Sequence, residues 1–362
     1  MERKDSIMFI ETEAEMTERT MKARWQYADG FYKVLEDRRK IYTEIRENYI
    51  DPKKCSENRN KYRDDFASIL GWPLTEYDSL SKTPMAVKKE YRYDTGYAEA
   101  YAMEFEVLPG LWFYGLYLES KNKGEKLPFI ITQHGGCGNP ESASETFEEN
   151  NYNGMVRRTS VFGKGSNLFA PMLLLWPDRF HPEPREKEDE GYSRYRIDAR
   201  LRQVGSSISA VECFAIRRTL DYFIKEGIAE IGHIGMLGLS YGGFFSMITG
   251  ALDTRIDAVY SSCQLNDRYR YGREDWIWSS ESSKFLDAEI TGLIAPRRFF
   301  AEEGVDDDLF DSGSFLKEAE RVKTYFDAAG AGDNYRFRTF PGTHEFAKDD
   351  EGIAFIYDYI KY

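Results

Sequence analysis

The run His233-Ile234-Gly235-Met236-Leu237-Gly238-Leu239-Ser240-Tyr241-Gly242-Gly243-Phe244 decides how the rest of the chain is read. Its first five residues are apolar or small, as in a strand buried on both faces. Residues 238–242 form a G-x-S-x-G pentapeptide. From Phe244 to Ile248 a helical pattern begins. Strand, sharp turn and helix together hold a serine hydroxyl exposed above a sheet. Gly238 and Gly242 would leave space where a Cβ would strike the neighbouring strand or helix. A Gly-rich turn without chemistry would read the same in isolation, so the rest of the chain must decide.

Before the pentapeptide, Ser206 to Lys225 is an amphipathic helix with Ile208, Val211, Phe214 (or Ala215), Leu220 and Phe223 on one face. Pro128 to Thr132 is a buried strand that ends in Gln133-His134-Gly135-Gly136. Asn167 to Trp176 is another, carrying Pro171. Residues 150–162 are helical in pattern, and residues 177–200 read as a long charged loop that shapes a site or moves. After the pentapeptide come strands at Ala258 to Cys263, Pro296 to Ala301 and Tyr335 to Phe340. Helices follow at Ser314 to Ala329 and Gly352 to Ile360, with an aromatic, charged loop at Gln264 to Ser283. Strands alternating with helices predict an α/β protein with a mostly parallel sheet and helices on both faces. Lys89 to Tyr93, Ala102 to Val107 and Leu111 to Leu118 alternate as hairpin strands do, turning at Pro109-Gly110.

Residues 1–86 read as a helical extension and 87–362 as the main domain. Met21, Trp25, Tyr32, Leu35, Tyr42, Ile45 and Tyr49 recur at helical spacing, with Gly30 as a break between two helices. Tyr62 to Leu70 is a further short helix. The stripe fits an arm packed on the main body. It equally fits a contact between copies, hence a homo-oligomer through these helices, or a rim to the site.

With 362 residues, 41% hydrophobic and 15% aromatic, the chain can bury a large core. Its net charge of −13 is spread out, and no basic patch invites nucleic acid. Met1 to Asp5 opens no signal peptide, and no run approaches the ~18 apolar residues of a membrane helix. Cys55, Cys137, Cys213 and Cys263 form no C-x-x-C pair and read as free thiols, so a cytoplasmic protein is expected.

A serine nucleophile needs a base to take its proton and an acid to orient that base. Of four histidines only His344 follows Ser240, in the loop between the last strand and the last helix. It is the expected base. The acid belongs in Glu302-Glu303-Gly304-Val305-Asp306-Asp307-Asp308, after the strand that begins near Arg297. Asp307 is the choice, with Asp306 and Asp308 next and Glu302 or Glu303 behind. No second ligand-rich segment supports a calcium loop there. An oxyanion hole needs two backbone N–H groups, assigned to Tyr241 and Gly136, with Gly135 and Cys137 as alternatives to Gly136. His134 reads as a structural hydrogen-bonding residue near the substrate, His233 as structural, and His181 as lining an entrance or exposed. Arg268, Trp276 and Trp278 lie in a loop that would reach the mouth of the site and suit a sugar ring or a carboxylate, or else form a packed cap.

These residues carry a resemblance. The chain is similar to the α/β-hydrolase superfamily over roughly residues 100–362, and looks most like its acetyl xylan esterase and dienelactone-hydrolase-like branch. The likeness rests on Leu108-Pro109-Gly110, Leu127-Pro128 leading to His134-Gly135-Gly136, the Ser240 pentapeptide, Ala295-Pro296-Arg297 and Pro341-Gly342-Thr343-His344. It implies an α/β-hydrolase fold and a serine carboxylic-ester hydrolase with a small-molecule ester substrate, often an acetylated sugar, and no metal or cofactor. Tyr241 departs from the Gln usual after the serine in acetyl xylan esterases, and Ser240 excludes a dienelactone hydrolase proper, which uses Cys. Ser-Tyr-Gly-Gly also occurs in prolyl-oligopeptidase-like peptidases, whose β-propeller the upstream residues here are too few to build. A small-peptide hydrolase and a non-catalytic binding protein on the same scaffold are the alternative readings.

Overall fold

The computed structural model describes residues 11–136, 138–146, 148–175 and 194–362. The sequence expectations for His181, Cys137 and the loop at 177–193 lie outside these.

Nine strands form one sheet: β1 (Val87–Asp94), β2 (Ala98–Leu108), β3 (Leu111–Ser120), β4 (Phe129–Gln133), β5 (Asn167–Pro171), β6 (Ile234–Leu239), β7 (Ala258–Ser262), β8 (Arg298–Gly304) and β9 (Tyr335–Phe340). Their spatial order is β1-β2-β3-β5-β4-β6-β7-β8-β9. β1, β2, β3 and β5 pair antiparallel, and everything from β5 through β4 to β9 is parallel. The helices of the N-terminal part are α1 (Glu13–Tyr49), α2 (Pro52–Leu70) and α3 (Tyr77–Leu80). Those between the strands are α4 (Pro140–Ala143), α5 (Met155–Val161), α6 (Arg194–Gln203), α7 (Ile208–Lys225), α8 (Tyr241–Leu252), α9 (Arg268–Tyr271), α10 (Asp287–Gly292), α11 (Ser312–Ala328) and α12 (Glu351–Ile360).

Alternation along the central strands builds two cores, because successive side chains leave opposite faces. Phe129, Ile131, Met236 and Val259 join one, with Phe214 and Phe223 of α7, Phe244 and Phe245 of α8, and Phe315 and Phe326 of α11. Ile130, Leu237, Leu239 and Tyr260 join the other, with Met155 of α5 and Ile353, Ile356 and Ile360 of α12. β6 is buried at every residue, as a central strand covered on both faces must be.

α2 enters the first core directly. Tyr62, Phe66 and Leu70 are buried there, and the Phe66 ring lies 5.4 Å from Phe285 and 5.7 Å from Trp278. Arg63 donates to the carbonyls of Ala251 at 3.1 Å and Leu293 at 2.8 Å, helping to cap the C-terminus of α8. Arg297 completes that cap through the carbonyls of Gly250, Asp253 and Ile256.

Three sequence expectations change. α1 is one unbroken helix across Gly30, where an exposed glycine costs about 1 kcal/mol against alanine and does not end a helix. β5 stops at Pro171 instead of running to Trp176. Proline has no N–H to give to the ladder; Met172 still donates to the Tyr114 carbonyl of β3 at 2.9 Å, and the chain leaves the sheet at Leu173, whose N–H goes to His134. Part of the expected loop at 177–200 is helix α6, beginning at Arg194.

Candidate active site

β6 delivers Ser240 into a backbone conformation of φ 59°, ψ −118°. A non-glycine residue adopts a positive φ only where its surroundings enforce it. They do so here: the Ser240 N–H donates to the Ser262 carbonyl at 2.9 Å, and its own carbonyl accepts from Phe244 at 2.9 Å. A Cβ on Gly238 would overlap the backbone of Gly242, and one on Gly242 would overlap the Gln133 carbonyl. Both glycines are therefore required by close approach, as the pentapeptide predicts. Tyr241 opens α8, whose first N–H groups have no acceptor within the helix.

The end of β4 runs beside this turn. A Cβ on Gly135 would lie 3.3 Å from the Ser240 Cβ, and one on Gly136 would meet the Tyr241 ring at 3.4 Å. Gly135 is held by its N–H to the Tyr152 hydroxyl at 2.7 Å. His134 is fully buried. Its Nε2 accepts the Leu173 N–H at 2.9 Å, so its Nδ1–H donates to the Gly135 carbonyl at 2.8 Å. Burial pushes its pKa down to about 4, which keeps the ring neutral. His233 likewise holds a backbone carbonyl, that of Ile360 at 2.8 Å, and stacks on Tyr362.

The loops after β8 and β9 meet backbone to backbone. Val305 N–H donates to Phe340 and Asp306 N–H to Gly342, each at 2.9 Å. This docking brings the Asp307 Oδ2 to within 2.7 Å of the His344 Nδ1, which donates to it. The other carboxyl oxygen accepts the N–H groups of Leu309 at 2.8 Å and Phe310 at 3.1 Å. The Asp307 side chain is fully buried, while Asp306 and Asp308 are exposed. Burial opposes its ionisation, but the bonds from His344 and its neighbours outweigh that and lower its pKa to about 2. With Nδ1 so engaged, His344 keeps Nε2 for another partner. The Phe310 ring packs 5.7 Å from the imidazole.

Two residues beside this pair carry no role in the sequence reading that matches their position. Glu303 is fully buried, and neither of its carboxyl oxygens has a hydrogen bond in this geometry. Burial first, and then Asp307, through the hydrogen bond that a protonated Glu303 gives it and through its charge, hold its pKa far above the ordinary carboxylate range. Cys263 is also buried, sits at φ 51°, and points its thiol at the Glu345 carbonyl at 3.3 Å. Among the described residues, Cys263, Asp307 and His344 are the one group of three metal-type ligands in reach of each other, with ligand atoms within 4.8 Å. Two of the three are already bonded to one another.

The Tyr241 side chain reaches a network absent from the sequence reading. Its hydroxyl donates to Asp275 Oδ1 at 3.0 Å. Arg194 bonds the other Asp275 oxygen at 2.5 Å and both Glu212 oxygens at 2.8 and 2.7 Å. All three charged groups are buried. Glu212 also accepts the Leu174 N–H at 2.7 Å. Arg268, Trp276 and Trp278 lie inside the fold rather than on an open rim, 3%, 2% and 7% exposed. Arg268 pairs with Asp287 at 2.6 Å and donates to the Trp276 carbonyl at 2.8 Å. Trp276 stacks on Phe244, lies edge-on to Tyr241, and stands one ring away from His344 through Phe310.

Cys55, Cys213 and Cys263 are free and buried. No helix among the described residues is long and apolar enough to cross a membrane. No family model matches the chain. One curated relative, "Putative hydrolase YtaP" of Bacillus subtilis (strain 168), is 30% identical over 126 residues, or 32% of this chain. That match spans only 42% of the relative's length. Among solved structures, Methylesterase BT1017 superposes with a TM-score of 0.62 at 16% identity over 90% of this chain and 67% of its own. The Glucuronoyl Esterase from Solibacter usitatus gives 0.59 at 14%, covering 85% and 93%. The acetyl xylan esterase from Paenibacillus sp. R4 gives 0.56 at 16%, covering 84% and 99%. At such identities the likeness is one of fold. In sheet order, in the turn at Ser240 and in these superpositions, this chain has the α/β-hydrolase fold.

Proposed function

We propose that the chain is a serine carboxylic-ester hydrolase. The observation that carries this is the Asp307–His344 hydrogen bond, set in loops at the same sheet edge as the strained turn at Ser240. Ser240 attacks the ester carbonyl. His344 takes the hydroxyl proton through Nε2 and later gives it to the leaving alcohol. Asp307 accepts the Nδ1–H throughout, fixing the tautomer and stabilising the imidazolium. The N–H groups of Tyr241 and Gly136 hold the tetrahedral oxyanion. Water then repeats the sequence on the acyl-enzyme, which returns Ser240 and releases the acid.

The substrate reading is a short-acyl ester, in the first place an acetyl ester of a carbohydrate. The branch resemblance supports it, as does a neighbour described as an acetyl xylan esterase, while those described as a glucuronoyl esterase and a methylesterase support ester hydrolysis in general. Ser240→Ala should abolish p-nitrophenyl acetate turnover and phosphonate labelling, while circular dichroism stays unchanged. Turnover retained by that variant refutes the mechanism. A wild-type protein that cleaves aminoacyl amides and no ester refutes the substrate class.

A further inference from the structure

α1 continues well past the body that it docks on. Its attachment runs from Leu35 onward: the Leu35 carbonyl accepts from Tyr269, Arg39 pairs with Asp267 at 2.5 Å, and Arg46 is buried against the Ser282 carbonyl and Glu289. Residues 13–34 precede that attachment, some 33 Å of helix at ~1.5 Å per residue. This segment is capped rather than frayed. Thr12 and Glu15 form a reciprocal capping box, and Glu11 pairs with Arg19 at 2.7 Å. It is also apolar where a solvated arm should be polar. Met21, Trp25, Phe31, Tyr32 and Leu35 are 39%, 66%, 53%, 71% and 47% exposed. Against aromatic side chains of ~150–250 Å², that leaves on the order of 500 Å² of apolar surface per chain. A patch of this size is near the upper limit for a monomer. Doubled, it approaches the area of a standard interface, ~1,200–2,000 Å².

We propose that this face binds the same face of a second copy of the chain, with the two α1 helices antiparallel. The spacing of four, three and four through Met21, Trp25, Ala28 and Tyr32 makes one stripe of a packed helix pair. Read antiparallel about a two-fold axis between residues 26 and 27, that stripe is self-complementary. Met21 comes opposite Tyr32, and the large Trp25 comes opposite the small Ala28. Charges agree with the same register. The N-terminal end carries Glu11, Glu13, Glu15 and Glu18, of which Glu11 is taken by Arg19, and it comes beside a stretch of net positive charge in the other copy, Lys33, Arg38, Arg39 and Lys40 against Glu36 and Asp37. Asp29 comes beside Lys22. A parallel pair would instead bring the four glutamates together. One patch serving both partners is the isologous contact of a closed dimer. This inference does not depend on the esterase reading.

Sedimentation equilibrium of the full chain should give twice the 42.1 kDa chain mass at micromolar concentration. Trp25→Glu with Tyr32→Glu should weaken the dimer at least 100-fold without loss of helix by circular dichroism. Ala23→Glu with Val34→Glu, on the side of the helix away from the stripe, should leave it intact. For orientation, a Trp25→Cys chain is mixed with an Ala28→Cys chain and oxidised, with the unsubstituted chain as background. The mixture should cross-link, and Trp25→Cys alone should not. A single-chain mass at every concentration overturns the proposal and leaves the face to a different protein. A dimer that survives Trp25→Glu with Tyr32→Glu overturns it too, and a cross-link of Trp25→Cys with itself overturns the antiparallel register.

Discussion

At Asp307 the fold distinguishes one carboxylate from two identical neighbours. Its Oδ1 is filled by two backbone N–H groups, so Oδ2 is fixed toward His344. Asp307→Asn should lower kcat for p-nitrophenyl acetate by about 10³–10⁴-fold, through loss of the correct tautomer, with KM little changed. Asp306→Asn, on the exposed side of the loop, should leave kcat near wild type; steady-state kinetics separate the two. Because its folded pKa is depressed to about 2, Asp307 stabilises the fold above its ordinary value near 3.8 and loses that effect as pH falls toward 2. Glu303 has the opposite sign. Its raised pKa means that the folded state favours the proton, so its contribution is full below the ordinary value of 4.5 and is lost as pH rises. Glu303→Gln should therefore raise the thermal midpoint more at pH 8.5 than at pH 4.5, measured by calorimetry. The sharp turn at Ser240 and the place of His344 after the last strand were legible because a pentapeptide and a single downstream histidine are local features. Asp307 among its neighbours was legible only as a preference, since the choice depends on where three backbone groups converge after folding.

At the scale of elements, α2 is tied into the main body by packing and by hydrogen bonds. Phe66→Ala should cost about 3–5 kcal/mol, read from chemical denaturation, because the ring fills a site walled by Phe285 and Trp278. Periodicity recovered most strands and the long helices, because burial on one or two faces writes itself into spacing. It missed α3, α4, α9 and α10, none longer than six residues, and α6, half of whose residues are charged. It ran β5 too far, because Met172 to Trp176 is as apolar as a strand, yet the chain leaves the sheet at Leu173. The buried positions of Arg268, Trp276 and Trp278 were illegible for a related reason. Aromatic and charged residues in a loop look the same whether they pack inward or face a substrate.

Over the whole molecule, Arg194, Glu212 and Asp275 join segments that are 18 and 81 residues apart in the chain. No local pattern foretells such a triad. Arg194→Met would leave two buried carboxylates without their cation and should cost about 3–5 kcal/mol in denaturant unfolding, against the small effect of an exposed pair such as Lys323–Asp327. Tyr241 belongs to this network through its hydroxyl, so the residue after the proposed nucleophile is held from both ends. The helix it begins is buried at all twelve of its residues and is capped at its far end by two arginines from distant segments. Such a helix offers no free position to mutation: each side chain on it answers to several neighbours at once. Divergence in what the candidate site accepts, whether natural or in the laboratory, must then be written in the loops at the C-terminal ends of the parallel strands. A library aimed at new substrates would do best to leave residues 241–252 untouched.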